Sequence, residues 1–132
     1  MQLHMIEAGQ GPALILLHGL FGSARNWGGV QKALAQHYRV IAMDLRNHGA
    51  SPHAAGMDYA AQASDVAETM AAISIGRAIV LGHSMGGAIA SVIAAASPER
   101  ADKLALMAAE VMATRQLTLF AAREKDAGRR CD

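Results

Sequence analysis

Ala78-Ile79-Val80-Leu81-Gly82-His83-Ser84-Met85-Gly86-Gly87 decides how the rest of the chain is read. The apolar run from Ala78 to Leu81 suits a strand covered on both faces. Gly82, Gly86 and Gly87 then remove side chains where strand, turn and helix would collide, which leaves the Ser84 hydroxyl raised at the strand's carboxyl end. Gly82-x-Ser84-x-Gly86 is the pattern of the nucleophile elbow, a strained strand-to-helix turn in which the N–H after the serine, here Met85, faces a developing oxyanion. The positive end of the following helix dipole adds to that field. Two other glycine-rich turns fail on spacing, because neither Gly-x-Gly-x-x-Gly nor Gly-Lys-Ser/Thr occurs in the chain.

Outward from this stretch, strand and helix signals alternate. Leu3 to Glu7 reads as a short edge strand and Ala13 to Leu17 as a buried one, followed by a Gly-rich loop, His18 to Asn26. Loops at carboxyl ends of strands are where open α/β sheets bind ligands. Trp27 to His37 carries a helical stripe (Trp27, Val30, Ala33, Leu34) with Ser23 or Asn26 as its cap. Tyr38 to Met43 is the next strand. The polar loop Asp44 to Pro52 follows it, with Asp44 and Arg46 in structural roles and His48 as a loop hydrogen-bonding residue. Asp58 is placed to cap a helix from Tyr59 to about Ile73, in which Val66, Met70 and Ile73 face the sheet. The helix after the elbow runs to about Ser97, where Pro98 stops it, and Lys103 to Met107 is the last strand. Residues 1–107 thus read as one unit and 108–132 as a divergent helical or frayed tail.

Composition narrows the function classes. With 132 residues the chain suits one domain, and at 52% hydrophobic but 4% aromatic its core must be built from aliphatic residues and Met, as under helices packed on both faces of a sheet. A net charge of +1 gives no electrostatic footprint for nucleic acid or an anionic membrane. The single cysteine, Cys131, rules out an intrachain disulfide and fits a reducing compartment. Neither a signal-peptide pattern nor an apolar run of the ~18 residues needed for a membrane span is present, so a cytoplasmic location is expected. The histidines lie on separate loops without cysteine partners or His-x-x-x-His spacing, so no metal and no cofactor are expected.

His18-Gly19-Leu20-Phe21-Gly22-Ser23, Asp44-Leu45-Arg46-Asn47-His48-Gly49-x-Ser51-Pro52, Gly82-His83-Ser84-Met85-Gly86-Gly87 and Pro98-Glu99-Arg100-x-Asp102-Lys103-Leu104 stand in this order. Over residues 1–107 the chain resembles the α/β-hydrolase superfamily, and most of all its small bacterial serine esterases of the YbfF type. The resemblance implies a three-layer α/β fold, a mostly parallel sheet with helices on both faces, here without the C-terminal strands and cap. It implies an esterase or thioesterase acting on small acyl esters through an acyl-enzyme on Ser84, with the N–H of Met85 and that of Leu20 or Phe21 as oxyanion hole. His18, Trp27 and His83 are candidate pocket residues, Trp27 being equally placed for packing and His18 for bracing the oxyanion loop.

The resemblance also marks a departure. The triad order is Ser, acid, His, yet no histidine follows His83. Where YbfF-like members carry an acid after the strand that follows the elbow helix, this chain reads Ala108-Ala109-Glu110-Val111, which makes Glu110 a candidate displaced acid. Impaired catalysis is the expectation. Two alternatives stand beside it: a C–C hydrolase, lyase or cofactor-free haloperoxidase on the same scaffold, or a non-catalytic fragment that self-associates through an exposed sheet edge.

Overall fold

A computed structural model describes residues 1–107; the segment 108–132, and Glu110 with it, lies outside the described residues. The strands β1 (Met5–Ala8), β2 (Ala13–Leu17), β3 (Arg39–Met43), β4 (Ala78–His83) and β5 (Ala101–Met107) form one sheet in the order β1-β3-β2-β4-β5. β1 runs antiparallel to β3, and all other neighbours are parallel. The helices are α1 (Gly28–Leu34), α2 (Tyr59–Ala72) and α3 (Met85–Ala96).

Side-chain alternation along the strands builds three layers. Leu14, Leu16, Val40, Ala42 and Leu81 point to one face, where they pack with Trp27, Leu34 and Tyr38. Ile15, Leu17, Ile41, Met43 and Val80 point to the other, under Val66 and Met70 of α2 and Ile89, Ala90 and Ile93 of α3. A parallel strand buried on both faces cannot alternate apolar with polar, which is why these segments are continuous apolar runs. The chain leaves β2 toward β3 and returns on the other side of β2 to β4, so the direction of winding reverses there. The helices accordingly lie on opposite faces, and the crevice between β2 and β4 is the topological switch point.

The expected elements appear, with two informative shifts. β1 begins at Met5 rather than Leu3 because the preceding N–H groups go to side chains: Leu3 donates to Thr69 Oγ1 at 2.9 Å and His4 to Ser51 Oγ at 2.8 Å. The helix expected over Trp27 to His37 is a 3-10 turn, Ala24–Trp27, followed by the shorter α1. Asn26 ties that turn, taking the Ser23 N–H on its Oδ1 at 2.6 Å while its own N–H donates to the Ser23 carbonyl at 3.0 Å. The buried stripe is therefore Trp27, Gln31 and Leu34, and Ala33 is exposed. Gln31 is tolerated inside because its amide donates to the carbonyls of Ile6 and Val40 at 2.8 and 3.2 Å, bridging β1 and β3. Asp58 caps α2 as expected, accepting the Ala61 N–H at 2.7 Å.

The elbow is a matter of backbone clearance. Ser84 adopts φ 54°, ψ −115°, a strained conformation for a residue with a Cβ. A Cβ on Gly82 would collide with the Gly86 carbonyl, and one on Gly86 with the carbonyls of Leu17 and His18. α3 thus starts in direct contact with the ends of β2 and β4. Gly86→Ala is expected to destabilise the full chain by at least ~2 kcal/mol in urea unfolding, because backbone on both sides must move. Gly29→Ala, where nothing lies within 4 Å of an added Cβ, is the control: neutral or stabilising by up to ~1 kcal/mol.

Candidate active site

Parallel pairing of Leu17 with Gly82 sets the loop after β2 beside the elbow after β4. A Cβ on Gly19 would stand 3.4 Å from Ser84 Cβ and 3.1 Å from His83 Nδ1, so this glycine lets the loop lie directly against the serine. Ser84 is exposed, and its hydroxyl makes no hydrogen bond among the described residues. The N–H of Met85, first residue of α3, has no intrahelical acceptor, the position at which helix starts favour anions.

On the sequence, Leu20 and Phe21 are both candidates for a second oxyanion donor. Residues 19–22 form a tight turn closed by the Gly22 N–H on the Gly19 carbonyl at 3.0 Å, with Phe21 at φ 63°. The Phe21 N–H is taken, donating to His48 Nε2 at 3.1 Å. The Leu20 N–H has no protein acceptor among the described residues. Both side chains at this tip face solvent, Phe21 91% and Leu20 55% exposed.

His18 and His48 cross-link the two loops. His18 Nε2 accepts the Leu45 N–H at 3.0 Å, which requires the proton on Nδ1, and Nδ1 donates to the Gly19 carbonyl at 2.7 Å. His48 is arranged in the same way, Nδ1–H donating to the Arg46 carbonyl at 2.8 Å and Nε2 accepting from Phe21. The two rings meet at 5.0 Å between centroids. With both nitrogens engaged, neither histidine is free to take a proton from Ser84.

Asp44 anchors the loop after β3 from below. Its carboxylate accepts the N–H groups of Ala24 and Ala50 at 2.8 and 3.0 Å and contacts His4 Nδ1 at 2.8 Å. Burial pushes its pKa up, but the two N–H donors and His4 outweigh this and hold the carboxyl below its usual range. Arg46 turns away to a bidentate pair with Asp65, at 2.7 and 2.9 Å. Trp27 is enclosed among Leu14, Leu16, Leu34 and Tyr38 in the core, away from solvent. The His83 ring, half-buried, lies over Gly19. Among the described residues, no group of three His, Cys, Asp or Glu is placed to hold a metal, and no helix is long and apolar enough to cross a membrane. The part played by Asp44 as a hub and the Phe21 partner of His48 carry no sequence signal, since the groups joined are 20 and 27 residues apart.

A family model described as alpha/beta hydrolase fold matches residues 12–129. Esterase YbfF of Escherichia coli is 42% identical over 91 residues, 69% of this chain and 36% of that protein. The sn-1-specific diacylglycerol lipase ABHD11 of Xenopus laevis is 41% identical over 96 residues, 71% of this chain and 31% of that protein. The chain therefore spans about a third of the length of these relatives. Among solved structures, a marine microorganism esterase superposes with a TM-score of 0.79 at 32% identity, covering 93% of this chain and 51% of its own.

Burial lowers the His18 pKa, opposed by its bond to the Gly19 carbonyl, and nearby His48 lowers it further. The folded chain holds this ring neutral while the unfolded chain protonates it below about pH 6.5, so the unfolded state binds more protons there and folding weakens as pH falls. The urea midpoint of the full chain is expected to drop between about pH 7.5 and about pH 5.5. His18→Gln, less stable at the upper pH, should lose less over the same interval; equal losses would remove His18 as the cause.

Proposed function

The chain belongs to the alpha/beta hydrolase family, and we propose that it carries the nucleophile and oxyanion hole of a serine esterase acting on small acyl esters or thioesters. The observation that carries this reading is the Ser84 backbone, φ 54° and ψ −115°, with the residue exposed at the start of α3 beside the Met85 N–H, which has no intrahelical acceptor. Strain of this kind persists only where the surroundings enforce it, and here Gly82 and Gly86 are kept bare to do so. The YbfF and marine esterase likenesses support the same substrate class.

In the proposed reaction Ser84 Oγ attacks the acyl carbonyl carbon as its proton passes to a base. The carbonyl oxygen becomes an oxyanion, accepted by the N–H groups of Met85 and Leu20, donors of the kind that stabilise such a charge. The tetrahedral species collapses, the alcohol or thiol leaves with a proton, and water attacks the acyl-Ser84 ester to release the acid and restore the serine. His18 and His48 are committed to the loops, so neither of them is that base. These 132 residues contain no histidine after His83, and taken alone they are expected to react slowly. Oxyanion holes without a complete triad still retain ~10³ to 10⁴ over water.

Intact-mass spectrometry of the 132-residue chain after exposure to a fluorophosphonate tests this. A single adduct should accumulate slowly and vanish in Ser84→Ala. A folded chain that gains no adduct, or one that labels equally without Ser84, contradicts the reading.

A further inference from the structure

The turn that offers the Leu20 N–H is not held by its own side chains. Phe21 sits at φ 63°, a region that costs energy for any residue with a Cβ, and its ring is 91% exposed. The Gly22 N–H closes the turn on the Gly19 carbonyl, which also accepts from His18 Nδ1, and among the described residues the Phe21 N–H at its tip is tied by His48 Nε2. We propose that His48 is a positioning residue that locks the oxyanion turn by holding the Phe21 N–H, so that Leu20 alone faces the oxyanion, and that a second proton on His48 releases the turn. This deepens the esterase reading and rests on it for its catalytic meaning.

The chemistry is set by what His48 can offer. The Arg46 carbonyl fixes the proton on Nδ1, leaving the Nε2 lone pair for Phe21. The ring is carried by a rigid loop, its own N–H on the Leu45 carbonyl and its carbonyl on the Ser51 N–H at 3.0 and 3.1 Å, so it cannot easily swing aside. Once protonated, Nε2–H would point at Phe21 N–H, donor against donor, and the contact is lost. The groups around it are the His18 ring at 5.0 Å, kept neutral by burial, and beyond it Asp44, whose carboxylate is occupied by Ala24, Ala50 and His4. The Arg46 guanidinium is committed to Asp65. The clasp is therefore intact when His48 is neutral and is lost when the ring carries a second proton.

Imidazole and amide NMR on the 15N-labelled 132-residue chain decides it. At about pH 8 the His48 ring should carry its proton on Nδ1, and the Phe21 amide should exchange more slowly than an unbonded turn amide. As His48 titrates, Phe21 protection should fall about tenfold, relative to Val80 as the reference for global opening, with Leu20 and Met85 shifts following the same curve. His48→Gln, which accepts but gains no proton, should keep Phe21 protected at both ends; His48→Ala should lose protection at both. A proton on Nε2 in the neutral wild type, or Phe21 protection flat across the His48 titration, overturns the proposal without recourse to variants. None of these readouts needs Ser84 to react. A chain that fails to label yet shows the coupled titration loses the esterase reading and keeps the clasp, while one that labels without the coupling loses the clasp alone.

Discussion

Everything at the carboxyl edge of the sheet depends on one close approach, that of the first turn of α3 to the ends of β2 and β4. Gly86 lies where a Cβ would strike the Leu17 carbonyl, and Gly82 where one would strike the Gly86 carbonyl. Because the three backbones touch, the chain can leave β4 and enter α3 only through a residue forced to positive φ, and Ser84 is that residue. The same contact brings the Met85 N–H and the helix dipole to the crevice between β2 and β4. Strain at Ser84 is thus a consequence of packing, offset by the apolar layers on both sides of the sheet.

The loops around this point are held differently. Strand ends leave N–H and C=O groups that the sheet ladder no longer satisfies, and a crevice cannot leave them to water without loosening. Asp44, His18 and His48 take up that role, each joining backbone groups distant in sequence: Ala24 and Ala50, Gly19 and Leu45, Arg46 and Phe21. The core beneath is mainly aliphatic. The tip of the turn at Phe21 is held by an imidazole lone pair. Exposed Phe21 and Leu20 add little packing at the tip, so hydrogen bonds rather than buried area decide how firmly it is held.

Much of this was legible in the sequence, for physical reasons that differ by element. β2, β3 and β4 stand out because burial on both faces demands continuous apolar runs, and Asp58 because an N-cap is a local event. The elbow is legible because its glycines answer a steric demand within five residues. α1 was less so: periodicity suggested a helix over Trp27 to His37, whereas a 3-10 turn tied by Asn26 ends at Trp27 and the α-helix covers only Gly28–Leu34. A buried Gln31 breaks the apolar stripe because its partners lie on other strands. Which of the Leu20 and Phe21 N–H groups is engaged was beyond reach for the same reason. It turns on His48, 27 residues away, and on which ring nitrogen holds a proton.

The most direct test of the account is a crystal structure of the chain after fluorophosphonate treatment. The account predicts phosphorus bonded to Ser84 Oγ, one phosphonyl oxygen within hydrogen-bond distance of both the Met85 and Leu20 N–H groups, and Phe21 N–H still on His48 Nε2. A phosphonyl oxygen held instead by Phe21, with His48 released, or turned away from Met85 altogether, would contradict it.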